Sequence, residues 1–473
     1  MKIFRLILIF LAFDGMAQTF VKGPYLLYDN DNTRMEVLWQ MDGFSNDTLA
    51  YGESADYEAG ITVVPEFGLD HQHRIILNGL KPGTKYYYRI RNGIRDFHAS
   101  FLTAPQAGQQ NLTFFAYGDS RSGIAAHDRL ASMINDCWMD QGSGQTFILS
   151  MGDLVTSGDH EYSWTNELFD TNYLNIRRMM SHIPLMACRG NHEGSAVLYA
   201  KYFPFPYFEP YYYSMDYGPA HFIFLDLYIP LKPGSEQYQW LVNDLSHSQS
   251  PWKFVILHPP IWSAGGGHEN SAMAQEFIEP LCEDYHVAMV FVGHNHYYAR
   301  AVVKNSEGDS VIHITTGGGG APLHTPKNDQ PNVVNAVKSH HFCKISIINE
   351  NLLTFSAISD SGEIIDQFAI DRGVNAVTDG QSGNFLNIQP NPFSDHTVVE
   401  YTLDTDARVS ISLYNLQGEE VLRIVPETAL DQGTYKILIE SAGLTRGAYI
   451  CEMKVMTGDG KTQSTSRKVF VNK

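Results

Sequence analysis

Hydrophobic positions change their rhythm twice along the chain. From 20 to 103, short segments alternate apolar and polar residues: MEVLWQM, ITVV, HRIILNGL, TKYYYRI and HASFLT, with turn residues between them as in LNGLKPGTKYYYRI. A period of two turns one face of each strand toward a core, so this stretch predicts a small all-β sandwich. From 111 to 370 the apolar runs are continuous: LTFFAYGD, TFILSMGD, IPLMACRGN, AHFIFLD, KFVILH, VAMVFVGH and VIHITTG, most of them ending in Gly, Asp, Asn or His. Strands buried on both faces read this way. Helical stretches, AAHDRLASMINDC, EQYQWLVNDL and SAMAQEFIEPLCEDY, fall between some of them, and the economical fold for 111–370 is an α/β sandwich. A Gly-, Asn- and Asp-rich linker at 371–384 leads to alternating segments FLNIQPNPFSDHTVVEYTL, RVSISLYNLQGEEV, GTYKILIE and GAYICEMKV, which predict a second small β-sandwich over 385–473. The fold class is therefore multidomain: β-sandwich, α/β sandwich, β-sandwich.

Composition narrows the function classes. The 473 residues carry a formal charge of -19, with 33 Lys and Arg against 52 Asp and Glu, so no general cationic field exists for non-specific binding to nucleic acid or an anionic membrane. Five Cys are too few and too irregularly spaced for a disulfide scaffold or a zinc knuckle, although bridges after export stay open. The segment MKIFRLILIFLAFDGMAQ has Lys2 and Arg5, an apolar run from Leu6 to Phe13 and a small-residue ending, the build of a signal peptide over 1–17 cut after Ala17. That run is too short to span a bilayer, and no later stretch reaches the length, so an exported protein without a transmembrane segment is expected.

Histidine is the informative surplus. Fifteen of the 19 His lie between residues 104 and 370. Polar clusters follow successive apolar runs there: GDSR at 118–121, GDLVTSGD at 152–159, GNHE at 190–193, LHPP at 257–260 and GHNH at 293–296. A lone Gly-Asp after a strand is an ordinary turn, and a lone strand-end His is an ordinary polar residue. Five such clusters in order supply carboxylate, amide and imidazole ligands, a set that suits Fe, Zn or Mn, and a carboxylate can bridge two ions where a neutral imidazole cannot.

This set resembles the calcineurin-like metallophosphoesterases, and with the preceding β-sandwich, itself similar to a fibronectin type III-like module, it most resembles the purple acid phosphatases over about 20–370. The resemblance implies two divalent or trivalent metal ions. Asp119, Asp153 and His296 would hold one, and Asp153, Asn191, His258 and His294 the other, with Asp153 bridging. It also implies in-line displacement at phosphorus by a metal-held hydroxide, without a covalent intermediate. His192 is the family's candidate for protonating the leaving alcohol or contacting the phosphoryl oxygens, or else a residue that orients a ligand. His268, in WSAGGGHEN, matches a region of substrate-facing histidines, or is a solvent-facing loop residue. Two departures stand out. Thr156 occupies the place of the family's iron-binding tyrosine, so no purple charge-transfer colour is expected, and Arg121 stands where other metallophosphoesterases have a second motif-one ligand. Arg121 either contacts phosphate or forms a rim salt bridge. The ending GHNHYYAR keeps only Tyr298 and Arg300 of the outer motif.

Other features divide between function and packing. The aromatic stretch from Tyr199 to Tyr217 either lines a cleft or packs an interface. GGGG at 317–320 lacks the Lys-Ser/Thr ending of a P-loop and is expected to be a tight loop supporting the metal site. Glu193 is expected to support ligands, while no spacing rule promotes Asp159, Glu161 or Asp226. No G-x-S-x-G elbow supports a serine hydrolase. PNPF, LYNLQGEEV, RGAYICEMKV and KVFVNK together resemble the C-terminal sorting domain of the type IX secretion system of Bacteroidetes, which implies that machinery as a partner and passage through the periplasm to the cell surface or medium. The expected function is an exported metal-dependent phosphoesterase acting on small phosphomonoesters. Its rivals are a phosphodiesterase or nucleotidase with the same site, and a surface binding protein that kept the fold without activity.

Overall fold

The computed structural model describes residues 18–372 and 386–472, except 94, 109–111, 141–145, 208–210, 305–309, 328, 348–349, 404, 416–419 and 458–461. The expected signal peptide at 1–17 and nearly all of the expected linker at 371–384 lie outside the described residues. The chain forms two compact units, Met1–Gly373 and Val374–Lys473. Among the described residues no helix is long and apolar enough to cross a membrane.

The first unit begins with two four-stranded antiparallel sheets. Alternate residues of Met35–Met41 (Met35, Val37, Trp39, Met41) and of Lys85–Asn92 (Tyr86, Tyr88, Ile90) enter one apolar cluster between them. The module also leans on the α/β domain. Tyr25, Tyr28 and Tyr88 donate their hydroxyls to the carbonyls of Tyr202, Asp216 and Ser181, at 2.7, 3.0 and 2.8 Å. Tyr25, Leu27, Tyr28 and Leu38 belong to the α/β domain's own core cluster. The ammonium of Lys22, almost fully buried, lies 3.4 Å from Glu161, which also accepts from Lys201 at 2.6 Å.

The α/β domain is built on a six-stranded and a seven-stranded mixed sheet. The first carries the parallel strands Leu112–Tyr117, Ile148–Ser150 and Leu185–Ala187, with His341–Ile347 antiparallel beside Leu112–Tyr117. The second carries Ala220–Phe224, Trp252–Leu257, Met289–Val292 and Ser310–Thr316, all parallel. The apolar runs are continuous because both faces are covered. Phe222, Phe254 and Phe291 join the cluster shared with the first sheet, while Ile223, Val255 and Val290 join a second cluster with Leu241 and Leu245 of the helix Glu236–His247. Phe114 meets Phe222 and Phe254 edge-on at 5.2 and 5.4 Å, pairs that add about 1 kcal/mol each beyond their burial. The stretch expected as one helix, SAMAQEFIEPLCEDY, forms two, Ala272–Phe277 and Glu279–Asp284. Pro280 accounts for the break: it has no N–H to donate and fits only the first turn of a new helix.

The aromatic stretch from Tyr199 packs rather than lines: Tyr199, Tyr202, Phe203, Tyr213 and Tyr217 are all buried. Cys188, Cys282, Cys343 and Cys451 are free thiols, and all four are buried.

His221, on Ala220–Phe224, ties its strand to a helix by bonding Asp216 through Nδ1 and Asp244 through Nε2, both at 2.8 Å. Burial disfavours its charge, but the two carboxylates outweigh it and raise the imidazole to about 9. Such a group stabilises fully below its unfolded value near 6.5 and loses that contribution as pH rises through 9. His221→Gln should therefore cost up to about 3 kcal/mol at pH 6 and little at pH 10, measured by urea unfolding at both pH values.

The second unit holds a three-stranded and a four-stranded antiparallel sheet. In Gly447–Thr457 the residues Tyr449, Cys451, Met453 and Val455 point into its core with Val409, Ile411 and Val469.

Candidate metal centre

Both sheets deliver polar residues to one place because parallel strands end together. Asp119 and Asp153 follow Leu112–Tyr117 and Ile148–Ser150, Asn191 follows Leu185–Ala187, His258 follows Trp252–Leu257, and His294 and His296 follow Met289–Val292. Asp119, Asp153 and His294 have φ of 57, 55 and 67°, a left-handed backbone that costs a non-glycine residue about 1 kcal/mol. Hydrogen bonds hold these turns: Asp119 N–H donates to the Gly152 carbonyl at 3.0 Å, and His294 N–H to Asp119 Oδ2 at 2.9 Å. The glycine run at 317–320 closes behind them. A Cβ on Gly317 would lie 2.8 Å from Asp119 Oδ2, so the run is a packing device at the site and not a phosphate cradle.

Ligand atoms of Asp119, Asp153 and His258 lie within 4.8 Å of one another, and all three residues are buried. His258 Nε2 is 3.1 Å from both Asn191 Oδ1 and His294 Nδ1 and 3.4 Å from Asp153 Oδ1. His296 Nε2 lies 3.3 Å from Asp119 Oδ1. All six residues expected as ligands thus converge. Among the described residues buried Asp119 Oδ1 has no hydrogen-bond partner, a costly state for a carboxylate oxygen unless a cation takes the place of a donor. Three imidazole nitrogens, an amide oxygen and two carboxylates facing one another are the donor set of a borderline metal ion, and the residues fit such a group.

The imidazoles are aimed by their other nitrogens. His258 Nδ1–H donates to the Met151 carbonyl at 2.5 Å and His296 Nδ1–H to the Pro322 carbonyl at 2.8 Å, so each presents Nε2 to the carboxylates. Burial disfavours charge on His258, but Asp153 and Asp119 outweigh it and raise the ring to about 9. Burial likewise opposes the charge on Asp153, yet His258 and the His192 backbone N–H hold its carboxyl well below the usual range. Burial and then its neighbour His258 push His294 down to about 3, which keeps it neutral, as a ligand must be.

Around the ligands stand the other expected residues. Arg121 Nε is 3.3 Å from Asp153 Oδ2, an ion pair, and a second guanidinium nitrogen is 3.5 Å from His296 Nε2. His192 N–H donates to Asp153 Oδ1 at 2.9 Å, its Nδ1–H donates to the Thr156 carbonyl at 2.6 Å, and Nε2 stands 3.8 Å from Asp153 Oδ2. Thr156 turns its hydroxyl away to Glu167 at 2.9 Å. His268 stacks on His294 with ring centroids 3.7 Å apart. Asn295 holds its loop, accepting from His268 N–H at 2.6 Å and donating to the His268 carbonyl at 3.1 Å. Glu193 is buried beneath the site, accepting from the N–H groups of Gly190, Asp153 and Leu154 at 2.6, 2.9 and 2.8 Å. Burial and the Asp153 charge push its carboxyl up to about 7.

Two contributions escaped sequence reasoning. Asp226 pairs with Arg189 at 3.0 Å, and Arg189 also donates to the Gly194 carbonyl at 2.7 Å, fastening the GNHE turn. His324 stacks on His296 at 4.0 Å. Neither has a spacing signal, since each depends on a loop returning from a distant strand end.

The family model for calcineurin-like phosphoesterases matches residues 96–298, and that for a secretion system C-terminal sorting domain matches 387–472. Purple acid phosphatase 15 of Arabidopsis thaliana is 30% identical over 291 residues, 52% of this chain and 53% of the relative. Purple acid phosphatase 23 of the same plant is 28% identical over 347 residues, 63% and 69% of the two chains. A phosphoenolpyruvate phosphatase of Allium cepa is 27% identical over 326 residues, 61% and 65%. The chain spans about half the length of the first of these curated relatives, 53%. A purple acid phosphatase from yellow lupin (Lupinus luteus) seeds superposes with a TM-score of 0.63 at 19% identity, covering 75% of each chain, and PhoD with 0.54 at 12%, covering 75% of this chain and 90% of PhoD. The chain therefore carries a calcineurin-like metallophosphoesterase domain homologous to purple acid phosphatases, followed by a secretion-system C-terminal sorting domain.

Proposed function

We propose that this chain is an exported, metal-dependent phosphoesterase that hydrolyses small phosphomonoesters at the Asp153 cluster. The observation that carries it is the surrounding of one buried carboxylate, Asp153, by His258, His192 and Arg121 within 3.8 Å, together with an Asp119 oxygen that has no hydrogen-bond partner among the described residues. Asp119, Asp153 and His296 would hold one ion, and Asp153, Asn191, His258 and His294 a second, of iron, zinc or manganese. When bound, such ions acidify water and offset charge developing on phosphoryl oxygens during in-line displacement.

The chain's own groups do the rest. The Arg121 guanidinium supplies fixed positive charge to the non-bridging oxygens. His192, anchored through Nδ1 on Thr156, presents Nε2 to the leaving oxygen as proton donor. His268, exposed and stacked on His294, faces the incoming phosphate from the opposite loop. Thr156 brings no phenolate, so the loaded protein should lack a purple charge-transfer band. The N-terminal pair of sheets is a fibronectin type III-like support, and residues 387–472 address the chain to the type IX secretion machinery for passage to the cell surface or medium.

The test couples metal analysis to a panel of p-nitrophenyl phosphate, bis-p-nitrophenyl phosphate and nucleotides. About two ions per chain, monoester turnover ahead of diester turnover, and loss of both metal and turnover on chelation are the expected result. Faster diester turnover would make the chain a phosphodiesterase, and no hydrolysis by metal-replete protein would make it a binding protein.

A further inference from the structure

Four imidazoles stand in two tiers at the mouth of the site. The inner pair, His294 and His296, belongs to the ligand cluster; the outer pair, His268 and His324, covers them, His268 over His294 at 3.7 Å and His324 over His296 at 4.0 Å and 18°. The two outer rings are 5.6 Å apart and steeply inclined, at 62°.

His324 is held there from several sides. Its backbone N–H donates to the His296 carbonyl at 3.0 Å, and its loop is tied to the facing one by Lys327 N–H on the Ala264 carbonyl at 2.8 Å. Gly267 permits the approach of that facing loop, since a Cβ on it would lie 2.3 Å from His324 Nδ1. The ring's tautomer is also set. His324 Nδ1 accepts from the His296 backbone N–H at 3.3 Å, so in the neutral ring the proton is on Nε2. Among the described residues this is the only hydrogen bond the ring makes, and the half-buried Nε2–H is left for a ligand. Arg121 and Lys338 add positive charge around it.

We propose that His324 contacts substrate directly, donating Nε2–H to a non-bridging phosphoryl oxygen lodged between His324 and His268, and that this contact favours monoesters over diesters. The assignment rests on the phosphoesterase function proposed above. A monoester offers three non-bridging oxygens and a diester two. The His324 donor rewards the third oxygen, whereas an ester alkoxy group placed there accepts poorly and brings a substituent beside two rings only 5.6 Å apart.

The test uses the full-length, metal-loaded protein and two variants. His324→Phe keeps a ring over His296 but removes the donor, and His324→Gln restores an N–H. His324→Phe should retain the wild-type metal content, lose about 10- to 100-fold in kcat/KM for p-nitrophenyl phosphate, and stay within about twofold for bis-p-nitrophenyl phosphate, with His324→Gln recovering most of the loss. Inorganic phosphate, whose binding needs no turnover, should bind His324→Phe about tenfold more weakly by calorimetry. Equal losses on both esters, or metal loss in both variants, would overturn the proposal in favour of simple support for His296. Unchanged phosphate affinity would overturn it even if the wild-type protein turned over neither ester, an outcome that would separately remove the phosphoesterase function.

Discussion

Asp153→Asn should reduce turnover by about a thousandfold or more and lower bound metal to one ion per chain or less. An amide keeps one acceptor for the His192 N–H, now 2.9 Å from Asp153 Oδ1, so the turn should fold as before. What disappears is the negative charge that His258, His192 and Arg121 all face at 3.3 to 3.8 Å. Loss of the residue proposed to bridge two cations removes several kcal/mol of transition-state stabilisation, and about 4 kcal/mol is already a thousandfold in rate. Metal analysis and p-nitrophenyl phosphate kinetics on matched wild-type and variant protein measure it. A variant with two ions and near-normal kcat would take Asp153 out of the bridging role.

The second large effect falls on stability. Glu193→Ala strips the acceptors from three N–H groups, those of Gly190, Asp153 and Leu154, in a pocket where the side chain it replaces is fully buried. Each buried donor left unpaired costs about 1–3 kcal/mol, so a loss of about 3 kcal/mol or more is expected in urea unfolding. The clasp joins the GDLV turn to the GNHE turn, so metal affinity should weaken with it. A change within about 0.5 kcal/mol, the range of an ordinary surface substitution, would show that the clasp contributes nothing.

Much of the site was legible because its residues terminate strands that the core covers on both sides. Phe254 and Val255 face different clusters, so their run is apolar throughout, and His258 stands out at its end. The tetrad from Gly190 to Glu193 and the pair His294 and His296 carry local spacing of the same kind. Pairing order was not legible. His341–Ile347 lies beside Leu112–Tyr117 although more than two hundred residues separate them, and nothing local encodes that choice. His324 was missed for the same reason, since its place over His296 comes from the return of a loop after Ser310–Thr316. The single helix expected from SAMAQEFIEPLCEDY fails at Pro280, where hydrophobic period and backbone chemistry disagree and the backbone wins.

The three tyrosines that reach from the first two sheets to carbonyls of the α/β domain bear on inheritance. Recombination that exchanged this pair of sheets for an unrelated module would have to bring phenols at matching points and an ammonium for Glu161, or leave an apolar wall of the other domain bare to water. The two halves of Met1–Gly373 look separable along the sequence, yet they are a poor pair to shuffle and a natural pair to pass on together.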